Sequence, residues 1–134
     1  SGVDYDHGTG HGVGVFSNVH QGPQAISRMN NVTLKPGMIL SNEPGFYLMK
    51  KFGIRLENLL VIRAEKNLPL SEEKLLFFET LTLVPFEKKL IASDILNKEE
   101  IDWVNKYHKK VFTTLMPFLD KNDENWLREA CNPI

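Results

Sequence analysis

The sequence has little cysteine, no excess of either positive or negative charge, and no long apolar runs. Its single cysteine, Cys131, excludes a disulfide framework and mildly favours a reducing compartment. The formal net charge is −1, with lysine and arginine spread along the chain, so no nucleic-acid footprint is indicated. No apolar stretch reaches the roughly 20 residues of a membrane span. The predicted partners therefore include neither nucleic acid nor membrane.

The length and composition are those of an ordinary globular domain. A chain of 134 residues is one domain, or one domain with a short extension, and it is 42% hydrophobic and 25% charged. The first residue is Ser1 rather than Met, and the chain opens directly on a histidine cluster. We interpret this start as processed, truncated or engineered, so the lack of a signal peptide says little about localisation.

Glycine and histidine are concentrated in the first 23 residues. Three of the four histidines lie there: His7, His11 and His20. Each glycine costs about 1 kcal/mol relative to alanine in a helix interior, so short extended pieces are expected rather than a helix. His7 and His11 are therefore not the helical histidine pair of a zincin. The zincin motif also has a glutamate directly after its first histidine, where this sequence has Gly8.

The middle of the chain is predicted to be β-structure. Four strands are predicted from apolar runs bounded by turn residues, at 38–42, 46–49, 54–63 and 75–84. A turn is placed at 50–53 and a loop at 64–73. Glu79 interrupts the apolar face of the last strand, which predicts either a partner for its carboxylate or a bulge.

The end of the chain is predicted to be helical, after a connecting segment at 86–96. Asn97 and Glu100 form a capping box for a helix that begins at Lys98, carries a 3–4-spaced apolar stripe, and ends or kinks at Pro117. A second short helix is predicted at 124–131 with Asp123 as its cap.

Two isolated glutamates in strand-like surroundings extend the histidine cluster. Glu43 stands in Ser-Asn-Glu-Pro-Gly, and Glu57 in Ile-Arg-Leu-Glu-Asn. Imidazole and carboxylate together suit Zn, Mn, Fe or Co, and an excess of carboxylates favours Mn. The residues alone leave two interpretations open. His11, Glu43 and Glu57 are metal ligands, or the histidines bond the glycine-rich backbone and Glu57 pairs with Arg55 or Lys51.

Four motifs in order resemble the Xaa-Pro aminopeptidases (aminopeptidase P), which belong to the pita-bread superfamily with prolidase, methionine aminopeptidase and creatinase. They occupy 7–14, 18–23, 36–45 and 53–58, and the stretches 78–85 and 101–108 resemble the longer, eukaryotic-type cytosolic enzymes. The resemblance implies an α+β fold. It assigns 1–88 to the C-terminal half of the catalytic pita-bread domain, a curved antiparallel sheet with helices, and 89–134 to a helical C-terminal extension. It also implies a cytoplasmic location.

The resemblance implies a two-metal site. His11 and Glu43 match ligands of one ion, and Glu57 matches the carboxylate that bridges both. The implied cofactors are two divalent ions, with Mn favoured and Zn or Co as alternatives. The implied reaction is metal-dependent release of the N-terminal residue from a peptide with proline at the second position, the peptide being the expected partner.

Three more residues take catalytic roles from the resemblance. His7 and His20 match the histidines that line the site, where they contact substrate or stabilise the tetrahedral intermediate. Arg55 matches the arginine that supports the site from two residues before the bridging glutamate.

The chain also departs from the family pattern. The family's site uses two aspartates and another histidine upstream of these motifs, and Asp4 and Asp6 do not match them. We therefore expect the chain alone to bind metal poorly, to have little activity and to self-associate through exposed apolar surface, whereas the full-length protein is expected to be a homodimer. A prolidase-type Xaa-Pro dipeptidase and a non-catalytic pita-bread binding module remain as alternatives.

Overall fold

A computed structural model describes residues 2–16, 18–65 and 75–134. The strands in this part of the chain are β1 (Gly10–His11), β2 (Ala25–Ile26), β3 (Ile39–Asn42), β4 (Gly45–Leu48), β5 (Phe52–Arg55), β6 (Asn58–Ala64) and β7 (Leu76–Thr80). The α-helices are α1 (Lys98–Leu115) and α2 (Lys121–Ala130), with 3-10 helices at Lys88–Leu90, Ser93–Ile95 and Met116–Phe118. The chain forms two compact units, Ser1–Thr82 and Leu83–Ile134.

The first unit is built on a three-stranded antiparallel sheet in the order β3-β6-β7. Strand β6 lies in the middle, and its Leu60, Val61 and Ile62 are buried, as is Leu40 of β3. Leu40 lies opposite Leu60 in the register, so the two strands bury apolar side chains together. An isolated bridge from Gly12 to Leu40 brings the histidine-rich opening stretch against β3.

Strands β4 and β5 form a separate antiparallel hairpin in the same unit. Its register pairs Phe46 with Ile54 and Leu48 with Phe52. Because side chains alternate along a strand, these four apolar residues share one face, and the other face carries Gly45, Tyr47, Gly53 and Arg55. The hairpin therefore has an apolar face and a face able to contribute polar groups to a site.

The predicted single strand at 54–63 is wrong, because the chain leaves the hairpin after Arg55 and enters the main sheet at Asn58. Residues of β5 pair with β4, whereas β6 pairs with β3 and β7, so no one sheet holds both segments. At the break the N–H of Leu56 donates to the Pro44 carbonyl at 3.2 Å. The predicted turn at 50–53 is also too long, because Phe52 and Gly53 already belong to β5.

Strand β7 ends at Thr80, four positions before the predicted end. The Thr82 hydroxyl accepts from the Leu59 N–H at 2.7 Å, so a side chain replaces the next main-chain acceptor and the ladder stops. Glu79 has a partner, since its carboxylate accepts from Nε of Arg63 and the register runs through it without a bulge. The predicted loop at 64–73 lies mostly outside the described residues.

The second unit packs α1 and α2 around a small apolar core. Tyr107, Val111 and Leu127 form its buried centre, and partly buried apolar side chains surround it: Leu83, Phe86, Phe112, Leu115, Leu119 and Cys131. The predicted capping box at the start of α1 is confirmed, with Asn97 and Glu100 bonded in both directions. Within the described residues, neither α-helix has the length and apolar character needed to cross a bilayer.

The predicted cap of the second helix is wrong. Oδ1 of Asp120 accepts from the N–H groups of Asn122 and Asp123 at 2.9 and 3.0 Å, so α2 begins three residues earlier than the sequence pattern indicates. Asp123 instead contributes its charge to the first turn of the helix.

Candidate metal centre

Backbone contacts bring the opening stretch against the end of β3. Gly10 lies so close to this strand that a Cβ there would be 1.9 Å from the Ser41 carbonyl oxygen. The Glu43 N–H donates to the Thr9 carbonyl at 2.7 Å, just beyond the strand. This packing places Nε2 of His11 3.2 Å from Oε1 of Glu43, although the two residues are distant in sequence.

The orientation of the His11 ring is fixed by its other nitrogen. Nδ1 lies 2.9 Å from the Gly12 carbonyl oxygen, which can only accept, so Nδ1 carries a hydrogen. Nε2 is then the ring nitrogen that faces Oε1 of Glu43, and both atoms have a lone pair that can bind a cation.

The Glu43 carboxylate is buried and held at both oxygens. The Ser41 hydroxyl donates to Oε1 at 2.8 Å, and Arg55 donates to Oε2 at 2.7 Å. Burial raises the pKa of Glu43, but the hydrogen bonds from Ser41 and Arg55 and the charges of His11 and Arg55 outweigh it, so the net pKa is lowered. Glu43 is therefore a carboxylate at neutral pH.

A line of hydrogen bonds runs on from Glu43 to His7. Nε of Arg55 donates to the Tyr47 hydroxyl at 2.7 Å, and this bond, followed by the bond to Glu43, raises the pKa of the guanidinium. The Tyr47 hydroxyl lies 2.6 Å from Nε2 of His7, whose Nδ1 lies 2.8 Å from the Gly8 carbonyl. A hydrogen bond between His7 and Tyr47 therefore continues the line from Arg55.

His20 joins the cluster from the other side. Its ring centroid lies 4.0 Å from that of His11, at an interplanar angle of 52°. The side chain is exposed, so it remains accessible to a ligand from solvent. All three predicted site histidines thus join one cluster: His11 contacts Glu43, His20 contacts His11, and His7 contacts Tyr47.

Glu57 is not brought into this cluster. It is exposed and lies in the break between β5 and β6. In the part of the chain that the structure describes, no group of three or more His, Cys, Asp or Glu side chains could hold a metal ion. The bridging role of Glu57 stays a prediction.

Two residues of the network, Ser41 and Tyr47, were not among those predicted from the sequence. A feature of the sequence could have indicated each of them. Ser41 lies near the end of β3, two positions before Glu43, and side chains two positions apart in extended chain leave the same face. Tyr47 lies beside Gly45 and opposite Gly53, and glycine in a strand marks a close approach. A Cβ at either glycine would lie within 2.4 to 2.6 Å of the Tyr47 side chain.

The donor atoms present suit a divalent cation. Fixing the hydrogen on Nδ1 through a backbone carbonyl is the usual way in which a metal-binding histidine is oriented, and it leaves Nε2 as the donor. The carboxylate beside it is ionised and its lone pairs are not exhausted by two hydrogen bonds. Imidazole and carboxylate together are a common donor set for Mn, Zn and Co.

Two models of known protein families match the chain. The model of metallopeptidase family M24 matches residues 1–64, and that of the C-terminal region of peptidase M24 matches residues 74–134. The chain belongs to metallopeptidase family M24. The two matches together leave few residues of the chain outside the family.

The chain is similar to named members of this family. It is 43% identical over 140 residues to Xaa-Pro aminopeptidase 1 of Dictyostelium discoideum, covering 99% of this chain and 22% of that protein. It is 44% identical over 137 residues to aminopeptidase P1 of Arabidopsis thaliana, covering 99% of this chain and 21% of that protein. The chain thus spans about a fifth of the length of these relatives.

A crystal structure of X-prolyl aminopeptidase from Caenorhabditis elegans, described as a cytosolic enzyme with a di-nuclear active site, has the same fold over this region. The TM-score is 0.86 at 38% identity, covering 99% of this chain and 22% of that one. This likeness confirms the predicted fold class, α+β and part of a pita-bread fold with a helical C-terminal extension.

Proposed function

We propose that this chain forms part of the active site of a metal-dependent aminopeptidase that releases the first residue from peptides with proline at the second position. The observation that carries the proposal is the 3.2 Å approach of Nε2 of His11 to Oε1 of Glu43 in a chain of family M24. An imidazole nitrogen and a carboxylate oxygen face each other there, and both can act as metal ligands. The names of the similar proteins supply the substrate class.

His11 and Glu43 would hold one divalent ion, and Glu57 is proposed as the carboxylate shared with a second. The di-nuclear site of the similar C. elegans enzyme supports the number of ions. Mn is the proposed metal, with Zn and Co as alternatives, because carboxylates dominate the proposed ligands. When bound, the ions supply Lewis-acid activation of water and of the peptide carbonyl.

Arg55 is proposed to orient a metal ligand, and His7 and His20 to contact the substrate. Arg55 fixes the Glu43 carboxylate from the side opposite Ser41. Both ring nitrogens of His7 are hydrogen-bonded, Nδ1 to the Gly8 carbonyl and Nε2 to the Tyr47 hydroxyl, so the ring is held in one orientation. We propose that His7 and the exposed His20 contact the substrate and stabilise charge on the carbonyl oxygen as the peptide is attacked.

The test is release of the first residue from a tripeptide that begins Ala-Pro, in the presence of Mn²⁺. We expect little turnover by the chain alone and turnover by the whole gene product that contains it. In that product His11→Ala or Glu43→Gln should lower kcat/KM by at least about a hundredfold. His108→Gln, which lies in the second unit, is the matched histidine control and should leave it unchanged. Full activity of His11→Ala would contradict the proposal.

The same assay separates the alternatives. A prolidase would cleave the dipeptide Ala-Pro and leave the tripeptide intact. A non-catalytic binding module would cleave neither, but retention of His11 and Glu43 in contact speaks against that alternative.

We also propose that the protein is cytosolic, which is supported by the description of the similar C. elegans enzyme. A homodimer is proposed for the full-length protein and self-association for the chain alone. The apolar hairpin face supports the latter, since Phe46, Leu48, Phe52 and Ile54 are 39 to 50% exposed. Light scattering that gives the mass of a monomer at micromolar concentration would contradict self-association, and Phe52→Glu should weaken it if it occurs.

A further inference from the structure

Ser41 lies between the two proposed ligands of one ion and contacts both. It is completely buried in β3. Its hydroxyl accepts from the His11 backbone N–H at 3.0 Å and donates to Oε1 of Glu43 at 2.8 Å. One hydroxyl thus fixes the backbone of the first ligand and the side chain of the second.

We propose that Ser41 is the positioning residue that keeps Nε2 of His11 and Oε1 of Glu43 directed at a common point, and that metal binding depends on it. The proposal rests on the proposed function, since it concerns the geometry of that same site. Ser41 itself is not a ligand, because its hydroxyl is already engaged on both sides within the protein.

The competing interaction that Ser41 opposes is the ion pair of Glu43 with Arg55. Arg55 binds Oε2 at 2.7 Å and is a bidentate donor that could take both carboxylate oxygens. The Ser41 hydroxyl retains Oε1 on the His11 side. Being neutral, it does so without cancelling the negative charge that a cation requires.

The close packing of β1 on β3 makes this geometry available. Since a Cβ at Gly10 would lie 1.9 Å from the Ser41 carbonyl, only glycine at that position lets the His11 backbone come within reach of the hydroxyl. Gly10 and Ser41 are both buried, so water does not readily replace the hydroxyl.

The first test uses no metal. Crystal structures of Ser41→Ala and Ser41→Thr would be compared with the wild-type chain. We expect Ser41→Ala to turn the Glu43 carboxylate toward Arg55 and to lengthen the His11 Nε2 to Glu43 Oε1 distance beyond 3.2 Å, whereas Ser41→Thr, which keeps the hydroxyl, restores it. The matched control is Thr82→Val, which likewise removes a hydroxyl that accepts a backbone N–H, but the N–H of Leu59 rather than that of His11. An unchanged distance in a folded Ser41→Ala protein would overturn the proposal.

The second test measures metal binding directly, as broadening of the His11 imidazole NMR signals by Mn²⁺, with the His108 signals as the internal reference. Ser41→Ala should need roughly 10- to 100-fold more Mn²⁺ than wild type for the same broadening, as for other residues that orient metal ligands. Thr82→Val and Ser41→Thr should match wild type. Equal broadening in wild type and Ser41→Ala would overturn the role of Ser41. Broadening of His11 no greater than of His108 in wild type would contradict the proposed metal site instead, while the crystal distances still decide the role of Ser41.

Discussion

The Tyr47 hydroxyl lies 2.6 Å from Nε2 of His7, forty positions earlier in the chain. It also accepts from Nε of Arg55 at 2.7 Å, so the hydroxyl joins a histidine proposed to meet the substrate to the arginine that fixes Glu43. The hairpin and the opening stretch are thereby coupled through side chains. A substitution in the hairpin should therefore alter the hydrogen bonding of His7.

Tyr47→Phe should release Arg55 and His7 from each other. The cost in free energy of unfolding should be at most about 1 kcal/mol, because water replaces a lost bond at an exposed site. The Arg55 Nε–H should exchange with solvent measurably faster in ¹⁵N NMR spectra. Tyr5→Phe is the control, since it removes a hydroxyl bonded to Thr9 instead. Equal exchange rates in wild type and Tyr47→Phe would show that the bond does not form in solution.

Gly53→Ala should displace the Tyr47 ring. A Cβ at Gly53 would lie 2.6 Å from Cδ1 of Tyr47, and the backbone at Gly53 is not left-handed, so the ring rather than the backbone opposes the substitution. We expect a loss of about 1 to 3 kcal/mol in urea unfolding. In a Tyr47→Ala background the same substitution should cost far less. A loss that is the same in both backgrounds would assign the effect to the strand and not to Tyr47.

His108 should make the second unit sensitive to acid. Its Nε2 accepts from the Phe86 N–H at 3.1 Å, and its buried Nδ1 has no hydrogen-bond partner among the described residues. Burial, and then the charge of Lys88, lower its pKa below 6.5. As the pH falls through 6.5 the unfolded chain takes up a proton that folded His108 does not, so stability present above that pH is lost below it.

His108→Gln is the variant that isolates this effect, because an amide oxygen can still accept from Phe86 but does not titrate. Unfolding free energies measured in urea from pH 7.5 to 5 should show wild type falling relative to His108→Gln below about pH 6.5. His108→Leu should cost about 1 to 3 kcal/mol already at neutral pH, since it leaves the Phe86 N–H without an acceptor. A difference between wild type and His108→Gln that does not vary with pH would refute the buried neutral histidine.

Asp120→Ala should destabilise α2 more than Asp123→Ala does. Asp120 accepts from two N–H groups of the first turn, and loss of such a cap costs about 1 kcal/mol. Asp123 acts only through its charge near the helix start, which is worth a few tenths of a kcal/mol. Urea unfolding followed by Trp126 fluorescence measures both variants, and the reverse order of effects would favour the cap predicted from sequence.

Local rules predicted most elements but not where they join. The capping box of Asn97 and Glu100 involves neighbours three residues apart, so it was legible in the sequence and is confirmed. The break after Arg55 was not legible, because the residues on both sides favour strand and only their pairing partners differ. The choice between Asp120 and Asp123 as the cap of α2 could not be predicted either, because the two aspartates have the same side chain and lie within one helical turn of each other.

The sequence by itself determined the chemistry available to this protein. Histidines in a glycine-rich stretch, two isolated glutamates and an arginine two residues before the second of them pointed to a metal site and to the family. Tertiary structure decided which of these groups meet. Packing of Gly10 on Ser41 sets His11 against Glu43, and the hairpin turns Tyr47 toward His7. Such contacts depend on strand pairing between distant segments, which no local pattern encodes.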